Sequence, residues 1–222
     1  MRLRLVTFNV RSFRAGWTAV RDVLADLAPD VLLLQECRSG RIALRLADAL
    51  AMEGVTSHRP FSRLRNAVLY RAPWRVTELD VRKLSREGRT LRRGFVAAHL
   101  WQPGTRLTAV SVHLGLSDSE RERHARELTD FLSVVKGPSV LGADLNEGPT
   151  GAAARWISGR FYDAFAQAGD GSGETFPAEL PTARIDYLFV SDELAVLKAW
   201  VPDSAPVSDH RPVVADVDLP GP

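Results

Sequence analysis

Ser139-Val-Leu-Gly-Ala-Asp144-Leu-Asn146-Glu-Gly148 reads as a buried strand that runs straight into two polar side chains. Its opening residues are small or apolar, as in a strand covered on both faces. Asp144 and Asn146 stand two residues apart, so on an extended segment both leave the same face. An ionisable side chain at the mouth of an apolar strand is costly unless it is paired, wet or bound to metal. The arrangement recurs along the chain. Asn9 stands in Thr7-Phe-Asn-Val10, Gln35-Glu36 follows Val31-Leu-Leu-Leu34, and His113 ends Val110-Ser-Val-His-Leu114. Asp186 in Arg184-Ile-Asp-Tyr187 precedes Asp209-His210 in Ser208-Asp-His-Arg-Pro212. Several such residues converging on one rim make a site.

Around these motifs the hydrophobic pattern predicts strands at 3–10, 31–35, 66–71, 74–84, 93–101, 106–114, 139–143, 184–190, 195–201 and 211–218. Gln102-Pro-Gly-Thr105 predicts a hairpin between two of them. Helical periodicity marks 17–27 and 41–52, and a third helix spans 118–135, with Ser117 and Glu120 placed as a capping box. No repeat, low-complexity tract or Gly/Ser/Pro linker divides the chain, so residues 1–222 read as one domain. Many strands with few helices predict two sheets packed face to face with helices outside.

At 222 residues, 45% hydrophobic and 25% charged, collagen-like and disordered classes are excluded. The net charge of +2 conceals an asymmetry. Residues 1–106 hold 20 basic against 9 acidic side chains, and the remainder reverses the sign. A basic run from Arg59 to Arg93 offers a positive wall to an anionic substrate. The competing reading is compositional habit, since all of the 29 basic residues except Lys83, Lys136 and Lys198 are arginine. The first ten residues interrupt their apolar side chains with arginine and asparagine, unlike a signal-peptide core, and no stretch approaches a membrane span. The lone Cys37 fits a reducing compartment and reads as a buried small hydrophobe. The expectation is a cytoplasmic monomer without integral membrane association.

A strand ending in asparagine, a second in Gln-Glu, a third in Val-His-Leu, a fourth in Asp-x-Asn, then Ile-Asp-Tyr and Ser-Asp-His near the C-terminus resembles the endonuclease/exonuclease/phosphatase (DNase I-like) superfamily. The resemblance runs from the first strand to the last and is least diagnostic over 40–106. It implies a four-layer α/β sandwich of two packed mixed β-sheets flanked by helices. It also implies a metal-dependent phosphoric ester hydrolase, with Mg²⁺ or Mn²⁺ as cofactor. Glu36 is then the principal metal ligand, since a hard cation wants oxygen donors, and Asn9 and Asp209 complete or flank it. Asp144 is the general base, Asn146 orients that base or holds a phosphate oxygen, and Asp186 pairs with His210 to keep it charged near phosphate. Whether His210 stabilises charge or itself serves as base stays open at this level. His113 sides with relatives that carry a Val-x-His-Leu or Thr-x-His-Leu pattern and donates to a phosphate or leaving-group oxygen. Arg11 and Arg14 reach phosphate or lie in a solvated loop.

The substrate is a phosphoester, and nucleic acid is one candidate among lipid, inositol phosphate and nucleotide. The shortness of the chain tilts the reading toward a small or flexible phosphodiester. The rival class is a catalytically silent binding module on the same fold. His58, His99 and His124 match no motif position, and the five tryptophans are scattered as packing residues.

Overall fold

β1 (Arg2–Asn9) alternates its side chains between two apolar environments, and the alternation sets the order of the layers. Leu3 and Leu5 join a buried cluster with Leu33, Ala109, Val140 and Leu188. Val6 and Phe8 join another with Val20, Leu24 and Leu46. The computed structural model describes residues 1–58, 64–203 and 206–220. After β1 come β2 (Val31–Gln35), β3 (Glu53–Thr56), β4 (Ala67–Tyr70), β5 (Arg75–Lys83), β6 (Gly94–Gln102) and β7 (Thr105–His113). Next are β8 (Ser139–Asp144), β9 (Tyr162–Asp163), β10 (Gly169–Asp170), β11 (Asp186–Val190), β12 (Ala195–Trp200) and β13 (Val213–Asp218). The helices are α1 (Trp17–Leu27), α2 (Gly40–Ala49), α3 (Asp118–Ser133), α4 (Ala152–Ser158) and α5 (Ala164–Ala168).

Two mixed sheets result. One runs β10-β12-β13-β1-β2-β4-β3, with β1 parallel to β2 and antiparallel to β13. The other runs β5-β6-β7-β8-β11-β9, with β7 parallel to β8 and antiparallel to β6. The cluster holding Leu3 and Leu5 fills the space between the sheets. On the outer face of the second sheet, Phe95, Val112, Leu141 and Tyr187 pack on Leu128 and Leu132 of α3 and Ile157 of α4. The layers are therefore helix, sheet, sheet, helix.

Where the elements differ from the hydrophobic pattern, local causes are visible. α2 stops at Ala49 because Ala51 turns left-handed (φ 53) and leads into β3, a short edge strand whose Glu53-Gly-Val-Thr56 gives little alternation to read. α3 stops at Ser133. The strands expected from 184 and 211 begin at Asp186 and Val213, and the residues ahead of each lie in rim loops. α4 and α5 are too short to show a stripe. Ser117 Oγ accepts from Glu120 N (3.2 Å), as a capping box requires, but Glu120 does not reciprocate. Its carboxylate accepts from Thr90 Oγ1 (2.6 Å) and Glu87 N (3.2 Å) instead.

Just below one rim the sheets approach closely through Gly142 of β8. A Cβ there would lie 2.5 Å from Leu33 Cβ and 2.7 Å from Thr7 Oγ1, both on the opposing sheet. Gly142→Ala must therefore push the sheets apart or bend β8. Overpacking of this kind costs about 1–3 kcal/mol, and the expected result is a lower urea midpoint with an unchanged m-value. A midpoint equal to that of the parent would show that the sheets are not held this closely.

Candidate active site

The intersheet core runs out of apolar residues at that rim. On β1 the inward series is Leu3, Leu5, Thr7, Asn9; on β2 it is Val31, Leu33, Gln35; on β7 it is Leu107, Ala109, Ser111, His113. On β8 it is Val140, Gly142, Asp144. β11 runs antiparallel to β8, so its first residue, Asp186, lies opposite Asp144. Each series begins in the core and ends in a polar side chain at one rim. Below it, Gln35 Nε2 joins the sheets, within reach of Thr7 Oγ1 (3.1 Å) on its own sheet and Ser111 Oγ (3.2 Å) and Gly142 O (3.1 Å) on the other. Those bonds satisfy a fully buried amide that would otherwise be expensive.

Asp144 is the hub. Its Oδ2 accepts from Asn9 Nδ2 (2.8 Å) and from His113 Nε2 (3.1 Å), and its Oδ1 accepts from Asn146 N (3.1 Å). Asn146 does not continue the strand. It takes a left-handed φ of 54°, so its backbone rather than the pleat turns it back on Asp144, and its Nδ2 lies 3.0 Å from His113 Nε2 and 3.2 Å from Leu114 O. Glu36 (φ 54) and Arg11–Phe13 (φ 42, 58 and 58) are left-handed too. Backbone strain thus gathers where the polar strand ends leave the sheets. The turn after Asp144 is anchored from behind, because Glu147 accepts from Arg121 Nε of α3 (2.8 Å) and Ala154 N of α4 (2.8 Å).

Two histidines flank Asp144 in opposite charge states. His210 Nδ1 donates to Asp186 Oδ2 (2.8 Å), which also accepts from Thr175 Oγ1 (2.6 Å). Burial disfavours the His210 charge, yet the carboxylates of Asp186, Asp144 and Asp209 outweigh it and raise its pKa to about 9. The ring of Phe176 packs 5.1 Å from that of His210. His113 goes the other way. Its Nδ1 faces Arg93 Nη1 at 2.9 Å, and a guanidinium only donates, so this nitrogen carries no proton and the ring proton sits on Nε2, toward Asp144. Burial, which outweighs the pull of the Asp144 carboxylate, lowers its pKa to about 3, and Arg93 adds to the fall. The His113 ring nitrogens thus face Arg93 and Asp144 inside the protein.

The residues expected around the metal are placed differently from one another. The Glu36 carboxylate is partly exposed, with His113 Nδ1 4.0 Å away and no hydrogen bond to another described side chain. Asn9 gives its Nδ2 to Asp144, while its Oδ1 accepts from Arg11 N (3.0 Å). Asp209 pairs with Arg11 Nε (3.0 Å), so Arg11 holds the rim together. Arg14 lines a neighbouring cleft with Ala178, Leu180 and Val207. Among the described residues, the three acidic and imidazole side chains whose ligand atoms all lie within 4.8 Å of one another are Asp144, Asp186 and His210, a set that takes in neither Glu36 nor Asp209. This is a possible metal site, and Asp186 Oδ1 within it is buried without a partner among the described residues. The buried Asp186 oxygen and the partly exposed Glu36 carboxylate are oxygen donors that suit a hard cation.

Sequence reading missed Gln35, Thr175, Phe176 and Arg93 as supports. Gln35 was visible only as the neighbour of Glu36, Thr175 and Phe176 sit in a loop without periodicity, and Arg93 was one member of a basic run. Cys37 is buried, as expected. No helix among the described residues is long and apolar enough to cross a membrane.

Residues 6–210 match the model of the Endonuclease/Exonuclease/phosphatase family. The chain is 26% identical over 161 residues to YbhP of Escherichia coli (strain K12), an uncharacterized protein, and the match takes in 69% of this chain and 62% of that relative. The endonuclease/exonuclease/phosphatase from Bacteroides vulgatus superposes with a TM-score of 0.84 at 20% identity, covering 99% of this chain and all of the other. A mannosyl-6-phosphatase, Bt3783, from Bacteroides thetaiotaomicron gives 0.81 at 20% identity, covering 98% of this chain and all of its own. At that identity the likeness is one of fold.

Proposed function

Because this chain belongs to the Endonuclease/Exonuclease/phosphatase family, we propose that it is a metal-dependent phosphoester hydrolase, a phosphodiesterase or phosphatase. The observation that carries the reading is a buried aspartate, oriented by three donors, beside an imidazole that a second aspartate keeps protonated. Asp144 is the general base, which takes a proton from water as the water oxygen bonds to phosphorus in line with the departing oxygen. His210 already carries its proton, so it acts as charge stabiliser toward the phosphoryl oxygens. Asn9, Asn146 and His113 hold Asp144 in place, and Arg11 acts through Asn9 and Asp209.

Glu36 would be the principal charged ligand of a divalent cation, Mg²⁺ or Mn²⁺, and Asn9 and Asp209 would complete or flank the site. When bound, such an ion neutralises developing charge on phosphoryl and leaving-group oxygens. Glu36→Gln removes one unit of charge and keeps the shape. The Mg²⁺ concentration for half-maximal activity is expected to rise at least tenfold, with thermal stability unchanged. A superimposable metal titration would remove Glu36 from the site.

The reading as a whole is tested with bis(p-nitrophenyl) phosphate plus Mg²⁺, with and without chelator, and with DNA, RNA, sphingomyelin, inositol phosphates and nucleotides. Chelator-sensitive release of product is the expected result. A folded protein inert toward all of them would make this chain a binding module on a hydrolase fold.

A further inference from the structure

A cleft of about 240 Å³ opens beside the catalytic rim, and Glu36 and His113 stand where the two meet. Arg65, Arg86, Arg89, Arg92 and Arg93 also line it. Glu36 is the acid among its lining residues. Arg71, Arg75, Arg82 and Lys83 of the basic run lie elsewhere, and Arg59 and Arg63 lie outside the described residues. Five guanidinium groups around so small a space repel one another and focus a positive potential into it.

The segment joining β5 to β6 is built to present this charge. Its own acid, Glu87, faces away from the cleft toward α3, where Arg123 Nη1 (3.0 Å) and Ser119 Oγ (3.0 Å) hold the carboxylate. Glu120, buried on α3, accepts from Thr90 Oγ1 and Glu87 N. Buried His124 meets Ser85 O (2.7 Å), and Glu127 accepts from Ser85 N (2.9 Å). α3 thus fixes the segment by its acid and its backbone, while Arg86, Arg89 and Arg92 form no ion pair among the described residues. The cleft on the other side of the rim, about 380 Å³, has an apolar wall of Pro177, Ala178 and Leu180 and carries the acids Glu179 and Asp209. The two sides of the scissile position are therefore unlike. One is strongly cationic, and the other is mixed.

We propose that the arginine cleft binds a second phosphate group, carried by the substrate next to the one that is hydrolysed. The inference rests on the hydrolase reading for which phosphate is cut, but the cleft itself is independent of turnover. Guanidinium forks match phosphate oxygens in pairs, and five of them exceed what one reacting phosphate, already facing the protonated His210, would need. The second phosphate comes either from the next residue of a nucleotide chain or from a compact metabolite phosphorylated twice.

The test is calorimetric titration of the metal-free protein with inorganic pyrophosphate in the presence of EDTA. Binding is expected to weaken with added salt. Arg89→Gln with Arg92→Gln should weaken it at least tenfold, and Arg86→Gln alone about threefold to tenfold, while Arg75→Gln with Arg106→Gln, which removes equal charge away from the cleft, should leave it unchanged. Absence of pyrophosphate binding at millimolar concentration, equal weakening by both double variants, or no weakening by either cleft variant overturns the proposal. Displacement of pyrophosphate by 5′-phosphorylated dithymidylate identifies a nucleotide chain as the source, and displacement by inositol 1,4-bisphosphate a compact metabolite. Displacement by neither overturns the assignment to substrate. Binding that behaves as expected in a protein inert toward every phosphoester would sink the hydrolase reading alone.

Discussion

Asp144→Asn lowers kcat by about 10²–10⁴-fold, the range for loss of a positioned general base, with little change in secondary structure. Asparagine keeps the shape and can still accept at its remaining oxygen from Asn9 and His113. It cannot take a proton from water. The comparison that isolates the base is kcat at saturating Mg²⁺, where any weakened cation binding is compensated by concentration. The Asp144 side chain is 1% exposed and Asn146 N donates to it, so a modest loss of stability accompanies the change. Turnover within tenfold of the parent would place the base elsewhere on the rim.

His210→Ala is expected to cost about 10²–10³-fold in kcat, as for removal of a positioned charge stabiliser. Asp186→Asn should cost less alone, and the double variant no more than His210→Ala, because residues acting as one unit are not additive. Multiplicative losses would dissolve the pair and leave Asp186 as a strand-end carboxylate. A second readout separates pairing from packing. In the metal-free protein the His210 imidazole should titrate near pH 9 by NMR, and Asp186→Asn should lower that midpoint. The sign for stability follows. A raised folded-state value means the pair contributes fully below about pH 6.5, the ordinary imidazole range, and its contribution fades as pH rises through about 9. A His210 midpoint at or below the ordinary value would show that burial wins over Asp186.

The rim was legible in the sequence because strand periodicity is two. Once Leu5 and Leu33 are read as facing the core, Asn9 follows at an even spacing, and so do Asp144 and His113 on their own strands. The sandwich was legible for the same reason, since β1 alone shows two apolar faces. What could not be read is what the folded chain supplies across distance. Nothing local joins Arg93 to His113, or Thr175 to Asp186, and those contacts decide which histidine is charged. The left-handed turn at Asn146 was likewise hidden. Its predicted position assumed that the pleat continues, whereas the strand ends at Asp144 and a left-handed backbone turns Asn146 back toward it. Edge strands of two to four residues and helices of five to seven carry too few side chains for any period to emerge.

The strand order also bears on how the molecule assembles. The middle of the chain forms the six-stranded sheet, while β1 finds its antiparallel partner only in β13, Arg2 opposite Asp218. Closure across nearly the whole chain is entropically late and kinetically slow. Asp209 and His210 sit immediately ahead of β13, so the charged histidine reaches Asp186 with the last strand to dock. A chain emerging from the ribosome would therefore hold Asn9, Glu36, His113 and Asp144 well before His210 reached Asp186, and the polar rim would be completed in one step with closure of the sheet.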